Sequence, residues 1–154
     1  MKVERFESSL HFRIWSFNRH ADSTGRHLVL FNDGHGEAET EGERYTVAAP
    51  AMLWLGGMKP GRLRVEAGAT GYRAWATDAM LSAAIGEEAE SAGLRQLVDR
   101  SFALSLSGQD DHARTMERCL AAALAELRQP LQGSTLLLSA LLLFGEGASL
   151  LLLG

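Results

Sequence analysis

The chain has 154 residues, and its 15 lysines and arginines against 19 aspartates and glutamates give a formal net charge of -4. A chain this long buries roughly 70% of its unfolded surface as one domain, or a domain with a helical appendage, and needs no disulfide or metal staple. Its 46% hydrophobic and 22% charged composition excludes a disordered chain. The acidic balance also excludes duplex-DNA binding by these residues alone, because that requires clustered cations against the phosphates.

Composition divides the chain in two. Nine of the eleven aromatic residues lie in residues 1–75, and eight of the sixteen glycines fall between Gly34 and Gly71, as in short strands joined by tight turns. His11 to Phe17 sets Phe12 and Ile14 against Arg13, Trp15 and Phe17, which predicts a strand with apolar character on both faces. Arg26 to Phe31 reads as a short apolar strand. Gly36 to Thr40 and Arg44 to Ala48 flank Glu41-Gly42, where glycine supplies the positive φ of a tight hairpin. Pro50 precedes an Ala51–Leu55 strand, and Arg62 to Ala67 is expected to pair with Tyr72 to Thr77 across Gly68 and Gly71. About six or seven strands in roughly 70 residues favour a small barrel or sandwich.

Eighteen of the twenty-five leucines lie from Leu94 onward, so the second half reads as helical. Glu87, Glu88 and Glu90 suit a helix N-terminus, and that helix is expected to run to about Arg100 with Leu94, Leu97 and Val98 on one stripe. Ser107 and Asp110 form a capping-box pattern ahead of Met116, Cys119, Leu120, Ala123, Leu124 and Leu127, which repeat at helical spacing until Pro130. Gly133-Ser134 caps a further helix from Leu136 to Phe144, antiparallel to the previous one. The leucine-rich end raises the question of a membrane span, but Gly145, Glu146 and Gly147 interrupt it, and a helix face buried against a partner is the better reading. The single cysteine, Cys119, reads as an apolar filler in a reducing compartment, and the absence of an apolar run behind the first charges argues against a secretory signal. A cytoplasmic location is expected.

No catalytic set rises above background. The five histidines are scattered, and the nearest approach to a metal site is His35 with Glu37 and Glu39 on one strand face. Cys119 lies on an apolar stripe where a thiolate is disfavoured. What remains is a ligand pocket: a small barrel holds one ligand, and these strands offer Trp54, Arg64, Glu66, Tyr72, Arg73 and Trp75. Alternation sets Arg62, Arg64 and Glu66 against Leu63, Val65 and Ala67, and groups Arg73 with Trp75. Parity alone does not decide which set points inward.

The stretch RHLVLFNDGHGEAETEGERYTVAAPAMLWL, followed by GRLRVEAGATGYRAW, carries a glycine-led hairpin, the Tyr45-Thr46-Val47 strand entering Pro50, and the Gly61 to Gly71 strand pair. In this order, and with the helical segments behind it, the chain over residues 20–144 resembles the N-terminal cupin-like regulatory domain of AraC-type transcription regulators. The resemblance implies an α+β fold: a small cupin-like β-barrel (jelly roll) over residues 1–80, then two or three helices over 81–144 ending in an antiparallel helical pair, with 145–154 as a truncated or altered tail. It further implies a barrel that binds a small-molecule effector or none, and the pocket residues read from the strands, Trp54, Arg64, Glu66, Arg73 and Trp75, are the expected contacts. The implied homodimer forms through Met116, Leu120, Ala123, Leu124 and Leu127. The family's DNA-binding domain, with two helix-turn-helix units, is not contained in these 154 residues. Metal-binding cupin enzymes carry a His-x-His pair near Gly34 and a later histidine. Here only His35 stands, with Glu37 in the second place, so neither enzymatic activity nor a cofactor is expected. The alternatives are a metal-dependent cupin enzyme using His35, Glu37 and Glu39, and a small-molecule-binding barrel with no regulatory role. A two-fold helical interface predicts that the isolated chain sediments as a dimer, and a concentration-independent monomer would contradict it.

Overall fold

The computed structural model describes residues 2–20, 25–57, 59–85, 96, 98–111, 114–115 and 117–118. The first six strands are β1 (Lys2–Phe6), β2 (Arg13–Phe17), β3 (Arg26–Asp33), β4 (His35–Thr40), β5 (Glu43–Ala48) and β6 (Ala51–Leu55). After them come β7 (Gly61–Val65), β8 (Thr70–Ala76), the helix α1 (Asp78–Ile85) and β9 (Phe102–Ser105). All pairings are antiparallel, in a five-stranded sheet of order β1-β8-β3-β6-β9 and a four-stranded sheet of order β2-β7-β4-β5.

Period-two alternation lets each sheet present an apolar face to the other. Phe6, Val29, Phe31, Leu53 and Leu55 of the larger sheet meet Phe17, Ala38, Val47, Leu63 and Val65 of the smaller one in a single buried cluster. The larger sheet is buried on its outer face as well. Leu28, Leu30, Met52, Trp54 and Tyr72 point away from the inter-sheet core and are buried, as are Leu81 of α1, Val98 and Leu106. Each such large apolar side chain contributes about 1.5–3 kcal/mol. The chain is held over this face by polar contacts too. Trp54 Nε1 donates to Val98 O at 3.1 Å, and the buried Arg26 pairs with Asp78 at 3.1 Å and Asp99 at 2.6 Å.

The β4–β5 hairpin forms where expected, with Thr40 opposite Glu43 and Gly42 at φ 82°. The expected pairing of the next two strands does not form. β7 pairs with β2 and β4, whereas β8 pairs with β1 and β3, so residues 66–69 carry the chain from one sheet to the other. The buried Ala69 and the Gly68 N–H bond to Ser9 O (2.9 Å) hold that crossing. Consecutive strands therefore do not close into one barrel.

The expected α+β class is corrected accordingly: among the described residues the fold is two antiparallel sheets with one short helix. Leucine content misleads here because β9, where helices and loops were expected, extends the edge of β6, with Leu104 opposite Met52 and Phe102 opposite Trp54. Helix α1, in turn, is absent from the periodicity reading. Its signal is Thr77-Asp78, where Thr77 Oγ1 accepts from the Met80 N–H at 3.2 Å and Asp78 sits in the first turn. Of the helix expected to end near Arg100, Gln96 and Val98 are helical, and residues 86–95 lie outside the described residues. The helical pair expected between Met116 and Phe144 also lies outside them, apart from helical positions at Glu117 and Arg118. No helix among the described residues is long and apolar enough to cross a membrane.

Gly71 of β8 lies opposite both Phe6 and Phe31, and a Cβ there would stand 1.8 Å from Leu30 O and 2.9 Å from the Phe6 ring. This close approach makes the residue type obligatory. Gly71→Ala should therefore cost about 3 kcal/mol, read as a lower urea midpoint with an unchanged slope. Gly57→Ala, whose added carbon would meet only Ser101 Oγ at 3.8 Å, should change stability by less than about 0.5 kcal/mol.

Candidate functional site: a cavity between the sheets

β8 has two unlike faces. Tyr72, Ala74 and Ala76 point to the covered outer side and are buried, which turns Arg73 and Trp75 toward the smaller sheet. Register then places Glu4 and Lys2 of β1 opposite Arg73 and Trp75, and His27 of β3 on the other side of Trp75. At this end the inter-sheet space is not filled by aliphatic side chains. A cavity of about 380 Å³ opens there, bounded across the gap by Ser16, Phe17, Asn18 and Arg19 at the end of β2. A smaller void of about 40 Å³ shares Ser16, Phe17, His27 and Arg73 with it and reaches inward to Val29, Leu55 and Leu63.

Arg73 organises the mouth. Its Nε and Nη2 both lie 2.7 Å from Glu4 Oε2, and its guanidinium lies over the Trp15 ring, 4.3 Å from the centroid. Lys2 Nζ pairs with the other Glu4 oxygen at 2.9 Å. Hydrogen bonding from Lys2, then Arg73, keeps the Glu4 carboxyl below its ordinary pKa of 4.5, against the opposing effect of burial. Both members of the Glu4–Arg73 pair are about one-third exposed, so the pair contributes no more than about 1 kcal/mol to stability.

One wall is aromatic. The Phe17 and His27 rings lie 5.3 Å apart and the His27 and Trp75 rings 6.4 Å apart, each pair tilted by 46°. Burial foremost, and the Arg73 charge second, lower the His27 pKa from 6.5 to about 4, so the imidazole is neutral near neutral pH. Its Nε2 lies 3.4 Å from Asn18 Oδ1. Asn18 is buried at φ 52°, a conformation asparagine tolerates, and its amide bonds Gly25 on both sides: Nδ2 donates to Gly25 O at 3.0 Å, and Gly25 N–H donates to Oδ1 at 2.8 Å. This clamp ties the end of β2 to the start of β3 and sets the rim.

The five expected ligand-binding residues separate into three places. Arg73 and Trp75 line the cavity. Arg64 and Glu66 lie on the outer side of the four-stranded sheet, where Arg64 Nε bonds Glu66 Oε1 at 2.6 Å and the guanidinium covers Phe12. Trp54 is fully buried on the outer side of the five-stranded sheet. His35, Glu37 and Glu39 share an exposed strand face where Arg44 and Arg62 engage the two glutamates. Among the described residues, no group of three or more His, Cys, Asp or Glu side chains could hold a metal ion. Met116, Leu120, Ala123, Leu124 and Leu127, the expected dimerisation stripe, lie outside the described residues.

Glu4, Trp15, Phe17, Asn18 and His27 join the site without having been expected there. His27 had a signal, because it stands two and four residues before the core residues Val29 and Phe31 and so shares their face. Glu4 had none, since its partner is 69 residues away. No family model matches the chain, and no curated protein matches it.

The His27 shift fixes a pH dependence. The folded imidazole resists protonation down to about pH 4 whereas the unfolded one accepts a proton near 6.5, so stability is complete above about 6.5 and falls as pH drops toward 4. Between about pH 7 and about pH 4.5 this residue should account for a loss of about 2 kcal/mol. Urea titrations should show that His27→Gln loses correspondingly less stability than the parent over that interval, and identical slopes against pH would contradict the assignment.

Proposed function

We propose that this protein is a ligand-sensing module that binds a small molecule in the inter-sheet cavity and belongs to an AraC-type transcription regulator. The observation that carries the binding half is the cavity itself: a concave space with a polar mouth and an aromatic wall, placed where both sheets turn chemistry-bearing side chains inward rather than aliphatic ones. The regulatory half rests on the sequence resemblance. Of its motifs the glycine-led β4–β5 hairpin and the Tyr45-Thr46-Val47 strand entering Pro50 remain, whereas the Gly61 to Gly71 strands do not pair with each other. In this reading the leucine-rich C-terminal segment supplies a homodimer contact, DNA is engaged through a separate helix-turn-helix domain, and the compartment is cytoplasmic. The module does no chemistry on its ligand and needs no cofactor. Ligand control would operate by differential binding to two arrangements of the dimer.

Thermal unfolding of the chain against a panel of small metabolites tests the binding half. A ligand at about 100 times its dissociation constant should stabilise the protein by about 2.7 kcal/mol, and at this chain length that raises Tm by several degrees. The same ligand should lose its effect in a Trp75→Ala variant. A panel spanning acids, amines, sugars and neutral aromatics that leaves Tm unmoved would overturn the reading.

A further inference from the structure

We infer that the inter-sheet cavity selects a small aromatic carboxylate, with the anionic group at Arg73 and the ring along the Phe17–His27–Trp75 wall. The inference rests on the ligand-binding reading above and names the class of molecule bound.

Charge comes first. Lys2, Arg19 and Arg73 line the cavity against one carboxylate, Glu4, so the mouth carries a cationic excess even after the Glu4 pairs are counted. The neutral state of His27 agrees with that sign, because the Arg73 charge is one of the two causes that oppose protonation there. A cationic ligand would meet the same field. Geometry comes second. The Trp15 ring, 4.3 Å from the Arg73 guanidinium carbon, and Glu4 hold the guanidinium at the mouth, where its fork of N–H donors matches a carboxylate.

The wall completes the selection. Three rings in succession favour a flat apolar body, and the inward void, though it shares Ser16, His27 and Arg73 with the cavity, ends on Val29, Leu55 and Leu63, whose side chains offer a hydroxyl no partner. A polyhydroxylated ligand would need many hydrogen-bond partners, yet the Asn18 amide already commits one donor and one acceptor position to Gly25. A volume of about 380 Å³ equals roughly a dozen waters' share of liquid volume, which suits one or two fused rings bearing one acid group.

Calorimetric titration of the full chain with 2-naphthoate, 2-naphthamide and 2-naphthylmethylammonium tests this. The acid should bind with one-to-one stoichiometry, about tenfold more tightly than the amide, and the ammonium more weakly still. Two variants separate recognition from fold damage, because each removes the same ion pair. Arg73→Gln should weaken 2-naphthoate about tenfold, whereas Glu4→Gln, which releases Arg73 from its competitor, should tighten it about threefold. Structural damage would move both variants in the same direction, and that result would overturn the role given to Arg73. If the amide or the ammonium binds as tightly as the acid, the anion class is wrong while ligand binding itself stands. If none of the three binds at millimolar concentration, the aromatic-carboxylate inference fails, while the ligand-binding reading beneath it falls only if the wider panel also leaves Tm unmoved.

Discussion

Tyr72 and Ala74 leave β8 on one side and Arg73 and Trp75 on the other, and period-two alternation allows no mixed arrangement. The outer face of the five-stranded sheet buries Leu28, Leu30, Met52 and Trp54 of β3 and β6, so the strand has to give its apolar set to that side. The inner side then receives a cation and an indole where a sandwich would ordinarily place two aliphatic residues. A guanidinium turned between two sheets needs a partner, and the register of β1 supplies Glu4 directly opposite. Pairing leaves the cluster too bulky and too polar to close against β2, and the cavity is the space that results. A one-residue slip of β8 would bury the charge under the cover layer and abolish the cavity at once.

The adjacent residues Arg26 and His27 link the cavity to that cover. Arg26 points outward from β3 and is held between Asp78, at the start of α1, and Asp99. His27 points inward against Phe17 and Trp75. Both carboxylates are more than half exposed while the guanidinium is buried, so the cation gives up most of its hydration and the anions little. Such a contact adds modest net stability, but removing one partner would leave a buried charge uncompensated, which is the costlier state. The covering turns are thereby anchored to the same end of β3 that forms the cavity wall.

Much of the strand content was legible because it depends on local pattern alone. The Glu41-Gly42 hairpin, the apolar Arg26–Phe31 run and the Ala51–Leu55 run need only a positive-φ glycine or a continuous hydrophobic stretch. Partner choice was not legible. Val65 and Tyr72 are close in sequence on either side of the Gly68 turn and yet lie in different sheets; alternation records faces and not neighbours, so a sheet-switching arch reads like a hairpin. The site divides in the same way. Arg73 and Trp75 could be grouped by parity, whereas Glu4 enters only through long-range register. The misplacement of Trp54 had an available remedy: in Ala-Met-Leu-Trp-Leu every residue is apolar, the mark of a strand buried on both faces, so its indole belongs to packing. Arg64 and Glu66 are opposite in kind. They alternate with Leu63 and Val65, which fill the core, and their charges are therefore left to solvent.

The Glu4–Arg73 pair is better suited to recognition than to holding the fold. Both partners keep about a third of their surface in water, so the pair is cheap to separate, on the order of 1 kcal/mol or less. Arg73 is nevertheless not left to solvent alone, because the Trp15 ring lies against its guanidinium and Glu4 accepts its hydrogen bonds. A pre-oriented cation whose anion is easily displaced loses little entropy when a second anion arrives. Had Glu4 been deeply buried with Arg73, exchange would have required stripping a well-compensated charge, at a cost of several kcal/mol. Partial exposure therefore makes the same two residues weak as a brace and responsive as a binding site.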